Sequence, residues 1–232
     1  MEIEKAIPDF EPSKEEKRAD FIVSSGRAIT SLIPGLGQLG SIIADYHLPA
    51  RQKRVEDFLF AVRDELDLLE NRIDQEYIKS DEFAYILEQC IKGSAENYQN
   101  EKLGVFRSVL INSALKGKID QDDKEYFLSL VNNLTALHIK ILRILWNPKE
   151  YLKENNIQEN EISGGFGNFF PKFLPDVDIN ILTSAFEDLH RYDLINTGKS
   201  IFTTMTSGQG FQLLGGRLSG LGTKFIEFCS TS

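Results

Sequence analysis

The sequence predicts a mainly α chain that becomes α+β at its carboxyl end: an N-terminal helical array, then a unit in which helices accompany a small β-hairpin. Three observations carry this. Apolar residues recur at steps of three and four through successive segments from Ser13 to Leu145. Capping residues open those segments, and Gly or Pro closes several of them. Only beyond Asp193 do short β-branched and aromatic runs replace the helical period, around the turn Ser207-Gly208-Gln209-Gly210. The chain has 232 residues, 41% hydrophobic and 26% charged, which is ordinary globular usage with enough apolar material for a core. Global disorder is therefore excluded, because charge does not displace the core formers.

Residues Met1 to Pro12 read as a loose arm. Ser13 to Glu16 fits a capping box, in which the hydroxyl accepts an otherwise orphaned amide and the Glu reaches back. The helix it opens carries Phe21, Ile22, Ile29, Leu32 and Ile33, and Pro34-Gly35 stops or kinks it. A short second helix follows with Leu36, Leu39, Ile43 and Tyr46 on one face, so that 28–46 forms a Gly-rich apolar hairpin. Pro49 suits the first position of a long helix running to about Tyr77. Its stripe is Val55, Leu59, Val62, Leu66, Leu69 and Ile73, and the other faces are charged, as in a bundle core helix.

Ser80 or Asp81 caps the next helix, with Phe83, Ile86, Leu87, Cys90 and Ile91 inward. Asn100 caps another, bearing Leu103, Phe106, Leu110 and Leu115, with Gly117 as its left-handed terminator. Asp120 opens a helix with Phe127, Leu128, Val131 and Leu134. Thr135 opens one in which His138, Ile141, Leu142 and Leu145 share a face, ended by Asn147-Pro148. Segment 148–177 loses helical period and reads as a long insertion or linker, partly ordered by Phe166, Phe169, Phe170 and Phe173. Asp176 or Asp178 then caps a helix with Ile179, Leu182, Phe186 and Leu189 inward. Leu194-Ile195, Ile201 to Met205 and Phe211 to Leu214 read as strands, and Ser219 caps a last helix with Leu221, Phe225 and Phe228.

From Thr135 onward the order helix, helix, hairpin, helix resembles a winged-helix domain. The matching residues are Leu137 to Leu145, Ile179 to Ile195, and Leu218-Ser219-Gly220-Leu221-Gly222-Thr223-Lys224-Phe225, similar to the LT-x-x-G-x-x-F ending that follows the wing. The usual short second helix is replaced by the segment between Pro148 and Pro175. The start, Ile33-Pro34-Gly35-Leu36-Gly37 followed by Pro49-Ala50-Arg51-Gln52-Lys53-Arg54, resembles an uncharacterised family of bacterial helical proteins that pair such a start with a winged-helix-like tail. That resemblance implies a bacterial origin and brings no activity with it. The expected division is a helical domain, 1–134, and a winged-helix-like domain, 135–232, carrying the insertion 148–177.

The net charge of −9 argues against broad nucleic-acid affinity, which draws on clustered Lys and Arg. On the helix that would read DNA, Asn180, Thr183, Ser184, Glu187 and Asp188 face outward, and carboxylates repel phosphates. Cys90 and Cys229 are too few and too distant for a disulfide framework, which predicts reduced thiols in the cytoplasm. Met1 to Lys5 leads into no apolar run with a small-residue cleavage site, so no secretory signal is expected.

Gly35-Leu36-Gly37-Gln38-Leu39-Gly40 matches G-x-G-x-x-G, but a dinucleotide site needs a strand before it and a second strand ending in an acid. Pro34 and the run from Pro49 to Arg54 exclude both. No Gly-Lys-Ser/Thr follows, which excludes a P-loop. His47, His138 and His190 lack metal-ligand spacing, and Glu187-x-x-His190 occurs once where a di-iron bundle needs it twice. No nucleophile elbow is present.

The sequence thus predicts a non-enzymatic interaction or assembly protein, with no catalytic, cofactor-binding or metal-binding residues, a protein partner, and no nucleic acid. A second reading is a membrane-acting effector, peripheral to the inner membrane, that uses Ile33, Pro34, Gly35, Leu36, Gly37, Leu39 and Gly40. The stretch from Ala28 to Ala44 is uncharged, but Arg27, Pro34 and Gln38 interrupt it as a span. Arg51, Lys53, Arg54, Lys199 and Arg217 are the candidate basic contacts, for headgroups or for a wing. A winged-helix transcription regulator ranks below these.

Overall fold

A computed structural model describes residues 48–117, 119–204 and 210–230, and over these the chain is mainly helical. The Gly-rich hairpin, with Ile33, Pro34, Gly35, Leu36, Gly37, Leu39 and Gly40, lies outside the described residues, as does the predicted turn at 207–209. Nine α-helices are described. They are α1 (Pro49–Leu68), α2 (Asp81–Glu96), α3 (Asn100–Ala114), α4 (Gln121–Asn133), α5 (Ala136–Trp146), α6 (Pro148–Glu154), α7 (Phe166–Phe169), α8 (Ile179–Arg191) and α9 (Gly220–Phe228).

Helix α1 starts with Pro49 in its first turn and buries Val55, Leu59, Val62 and Leu66 of the predicted stripe together with Phe58, whereas Leu69 and Ile73 of that stripe lie beyond its end. It ends at Leu68, short of the expected Tyr77. The cause is tertiary: Ile73 forms an antiparallel bridge with Leu115. The Asp74 amide donates to the Ala114 carbonyl at 2.8 Å, and the Lys116 amide donates to the Arg72 carbonyl at 3.1 Å. The Asp74 carboxylate then accepts the amides of Glu76 and Tyr77, which opens a separate 3-10 turn, Tyr77–Lys79.

Helix α3 is central. It packs against α1, α2, α4, α5 and α9. It therefore buries residues around its whole circumference, polar Lys102, Ser108, Asn112 and Ser113 included, so no single apolar stripe marks it. Gly93 of α2 lies beneath the ring of Phe106, where any Cβ would collide with it, which lets α2 and α3 approach closely. Asn100, expected as a cap, is the first helical residue after Gln99.

The segment 148–177 is packed rather than a linker. Asn147 accepts the Glu150 amide, Pro148 begins α6, and the chain continues through α7 into the 3-10 turn Phe170–Phe173. Phe166, Phe169, Phe170 and Phe173 are all buried. Phe166 stacks on Phe170 at 4.8 Å, and the Phe186 ring stands edge-on to both Phe170 and Phe202 at 4.9 Å. Aromatic side chains bury a large area each, so this cluster holds the short helices and 3-10 turns of the segment in place.

The expected β-hairpin is corrected over the described residues. Lys199–Phe202 and Gly210–Leu214 are 3-10 turns, and no strand occurs among the described residues beyond isolated bridges. The Glu187 carboxylate accepts the Lys199 amide at 3.1 Å, and the hydroxyls of Thr203 and Thr204 donate back to the Ser200 carbonyl. These local bonds override the strand preference of Ile201 and the two threonines. Of Leu194-Ile195 only a bridge remains, Ile195 to Leu218.

That bridge sets the start of α9. The Ser219 amide donates to the Leu194 carbonyl at 3.1 Å, and its hydroxyl donates to the Asp193 carbonyl while accepting the Gly222 amide at 2.8 Å. Gly222 lies directly against the Leu194 carbonyl, where no side chain fits. Buried apolar side chains from Val55 to Cys229 make one contiguous cluster, and the expected boundary at 134/135 falls within it. Among the described residues no single helix is long and apolar enough to cross a membrane.

Candidate functional site

The predicted basic contacts are dispersed or already engaged. Arg54 turns inward and donates to the Ala95 carbonyl at the end of α2 at 2.6 Å. Lys53 pairs with Asp57 at 3.0 Å, and Arg51 is exposed. Arg217 donates to the Leu213 carbonyl at 2.7 Å, and exposed Lys199 sits on the turn capped by Glu187. Arg51, Lys53 and Arg54 belong to the first turns of α1, whereas Lys199 and Arg217 flank the 3-10 turns before α9.

One constellation has the residue types of a nucleophile triad. His138 Nδ1 accepts the Thr135 amide at 3.0 Å and lies 2.7 Å from the Thr135 hydroxyl, and its Nε2 faces the Asp188 carboxylate at 3.7 Å. Accepting an amide at Nδ1 assigns the ring hydrogen to Nε2. The lone pair a general base would need is thus committed to the start of α5. Neither cleft described below is lined by any of the three residues. Burial pushes the His138 pKa down, with Asp188 pulling it partly back. Its chemistry is that of a capping histidine joining α5 to α8.

Lys102 is 3% exposed, and its ammonium donates to the Val131 and Leu134 carbonyls at the end of α4. Burial lowers its pKa to about 8. Cys90 and Cys229 are both buried, and burial raises both thiols. Among the described residues no group of three or more His, Cys, Asp or Glu is placed to hold a metal ion.

The concave feature with converging functional groups is a cleft of about 620 Å³ where the ends of α3, α4, α5 and α9 meet. Gly117, with φ of 67°, turns the chain left-handed between α3 and α4, and the Asp120 that follows precedes α4. Phe127 forms the floor, its ring 5.6 Å from Phe225 and 5.7 Å from Phe228. Asn112 holds the end of α9 against α3 by donating to the Phe228 and Ser230 carbonyls at 2.8 and 2.9 Å. Trp146, the chain's only tryptophan and the last residue of α5, lines the cleft and is 41% exposed. Among the described residues its charged lining is Asp120, Asp123, Glu227 and Lys224, with Lys224 3.7 Å from Asp123.

A second, smaller cleft, about 410 Å³, lies between Phe166–Asn168 and Phe202–Thr204 and has no charged residue in its described lining. The sequence pattern singles out neither Trp146 nor Asn112. A lone Trp ending an apolar helix face was the available signal. No family model, curated protein or solved structure matches this chain, so no family is identified.

Proposed function

We propose that this chain is a non-enzymatic interaction protein that docks a protein partner in the cleft between the ends of α3, α4, α5 and α9. The carrying observation is Trp146, 41% exposed and the one exposed large hydrophobic residue among the described lining of this cleft. Trp is the residue type most enriched among the few side chains that dominate binding energy. The cleft's size is that of a site for a small group or a short peptide segment.

The carboxyl-terminal part supports the finer reading of a reduced winged-helix-like module. Helices α5, α8 and α9 follow in the expected order, the Ile195 to Leu218 bridge stands where the wing strands would begin, and 3-10 turns stand where the wing would be. We read it as a scaffold and not a DNA reader. Glu187 caps the turn at Lys199, Asp188 pairs with Arg191 at 3.2 Å, and Arg217 is bonded to its own turn. A groove-binding face would instead present free cations to phosphates.

The test is affinity capture from the cells of origin with wild type, Trp146→Ala and Leu68→Ala. Leu68 is 86% exposed on α1 and does not line the cleft. A partner lost with the first variant and kept with the second supports the cleft. Identical capture by all three sinks it. The uncharged run from Ala28 to Ala44 favours the second reading, membrane action, which has its own test in the last prediction below.

A further inference from the structure

Resting on the docking-cleft reading, we infer that the occupant is a basic, amphipathic peptide segment of a protein partner: an apolar side chain against half-buried Ile119, and a Lys or Arg at Trp146, Asp120 and Glu227. The charge balance of the described lining carries this. Three carboxylates, Asp120, Asp123 and Glu227, stand against one ammonium, Lys224. Among the described residues Lys224 already faces Asp123 at 3.7 Å, and no described cation pairs with Asp120 or Glu227. Both residues are exposed, so a partner's cation reaches them without burying an unpaired charge.

The helix ends act in the same direction. Trp146 and Phe228 end α5 and α9, and Asn112 lies in the last turn of α3, whereas only α4 begins at the cleft. Carboxyl ends of helices carry partial negative charge; with the end of α3 already answered by Lys124, the ends of α5 and α9 are the two that favour a cation. An indole attracts a cation over its face more strongly than any other side-chain ring, and Trp146 is the half-exposed ring on this cleft. Half-buried Ile119 separates this site from one for a simple polyamine, which has no apolar side chain to cover it. A purely apolar segment would leave Asp120 and Glu227 without partners.

The chain's single tryptophan makes the test direct, because any change in its emission comes from Trp146. The full chain is titrated with three capped peptides, acetyl-Leu-Lys-Phe-Lys-Leu-amide and its analogues with Ser or Glu in place of both Lys. Saturable, salt-sensitive binding of the lysine peptide is expected, with weaker binding of the serine peptide and none of the glutamate peptide. In Asp120→Asn/Glu227→Gln the lysine peptide should bind at least about five-fold more weakly, the size of one modest ion-pair interaction, with an unchanged melt. Equal binding of the serine and lysine peptides overturns the charge assignment and leaves the cleft standing. Unweakened binding by the double variant also overturns it. No response to any peptide overturns the cleft reading together with the inference.

Discussion

Lys102 and Lys124 cap each other's helices. Lys102, in the first turn of α3, donates to the Val131 and Leu134 carbonyls at the end of α4. Lys124, in the first turn of α4, donates to the Ser113 carbonyl at the end of α3 at 3.3 Å. Both side chains are buried, and aromatic faces cover both cations, Phe106 at 5.3 Å and Tyr77 at 3.7 Å. The last carbonyls of a helix have no partner within it, and a cation there also answers the negative end of the dipole. The exchange therefore fixes the register of two adjacent helices from both ends.

Lys102→Met should cost about 2–3 kcal/mol in denaturant unfolding, because two buried carbonyls lose a charged donor while the stem volume is kept. Lys124→Met should cost less, about 1 kcal/mol, since one longer bond is lost. Exposed Lys116→Met is the control and should cost under ~0.5 kcal/mol. If all three variants unfold at the same denaturant concentration, the exchange does not stabilise the fold.

Stability should fall on mild acidification, through His138. Burial lowers its folded pKa below the unfolded value of about 6.5, so below that pH the unfolded chain binds the extra proton. Its contribution is complete above the unfolded pKa and is lost as pH falls through the window beneath it. Asp188 acts oppositely, since its charge pulls the folded pKa back, and Lys102 adds to the lowering. Melting temperature should drop between about pH 7 and pH 5.5, more steeply in Asp188→Asn and less in His138→Gln. A wild-type profile no steeper than that of His138→Gln would remove His138 as the cause.

The helices were legible because their signals are local. Ser219 accepts an amide of the helix it precedes, as its position predicted, and so do Ser80 and Asp178, each one of two candidates at its start. Val55, Leu59, Val62 and Leu66 of the stripe read for α1 are buried in it. What sequence could not show depends on contacts between distant segments. Ile73 leaves α1 to meet Leu115, and Glu187 caps Lys199, turning a strand-like run into a 3-10 turn. The phenylalanines of 148–177 have no period because they point into a cluster completed by Phe186 and Phe202. The cleft was illegible for the same reason: Asn112, Asp123, Trp146 and Glu227 are brought together only by the packing of α3, α4, α5 and α9.

Gly222 and Gly220 should respond oppositely to the same substitution. A Cβ on Gly222 collides with the Leu194 backbone carbonyl, whereas nothing lies within 4 Å of a Cβ on Gly220. Gly222→Ala must push α9 away from the 193–195 segment and disturb the Ser219 cap, costing ~2 kcal/mol or more. Gly220→Ala, at the first position of α9, should be neutral or stabilise by up to ~1 kcal/mol by restricting the unfolded chain. Thermal melts of the two variants decide it. Equal destabilisation would mean that the Gly222 contact does not set the position of α9.

The Gly-rich stretch separates interaction from membrane action, and Gly37→Glu is the variant that distinguishes them. If the apolar residues Ile33, Leu36, Leu39 and Ile43 pack on the protein, a carboxylate at position 37 enters an interior with no cation to meet it. The fold should then lose stability, and neither protein should sediment with vesicles. If the stretch inserts into bilayers, wild type should cosediment with anionic liposomes. Gly37→Glu should then abolish that binding while melting at the wild-type temperature, because the charge is costly only in the lipid. Arg27, Pro34 and Gln38 break the apolar run, and Glu56 and Asp57 follow the cations of residues 51–54 closely, which weakens attraction to anionic headgroups. The expected result is therefore a lowered melt for the variant and no vesicle binding by either protein. Vesicle binding by wild type together with an unshifted melt for Gly37→Glu would overturn the packed reading and make the membrane the site of action.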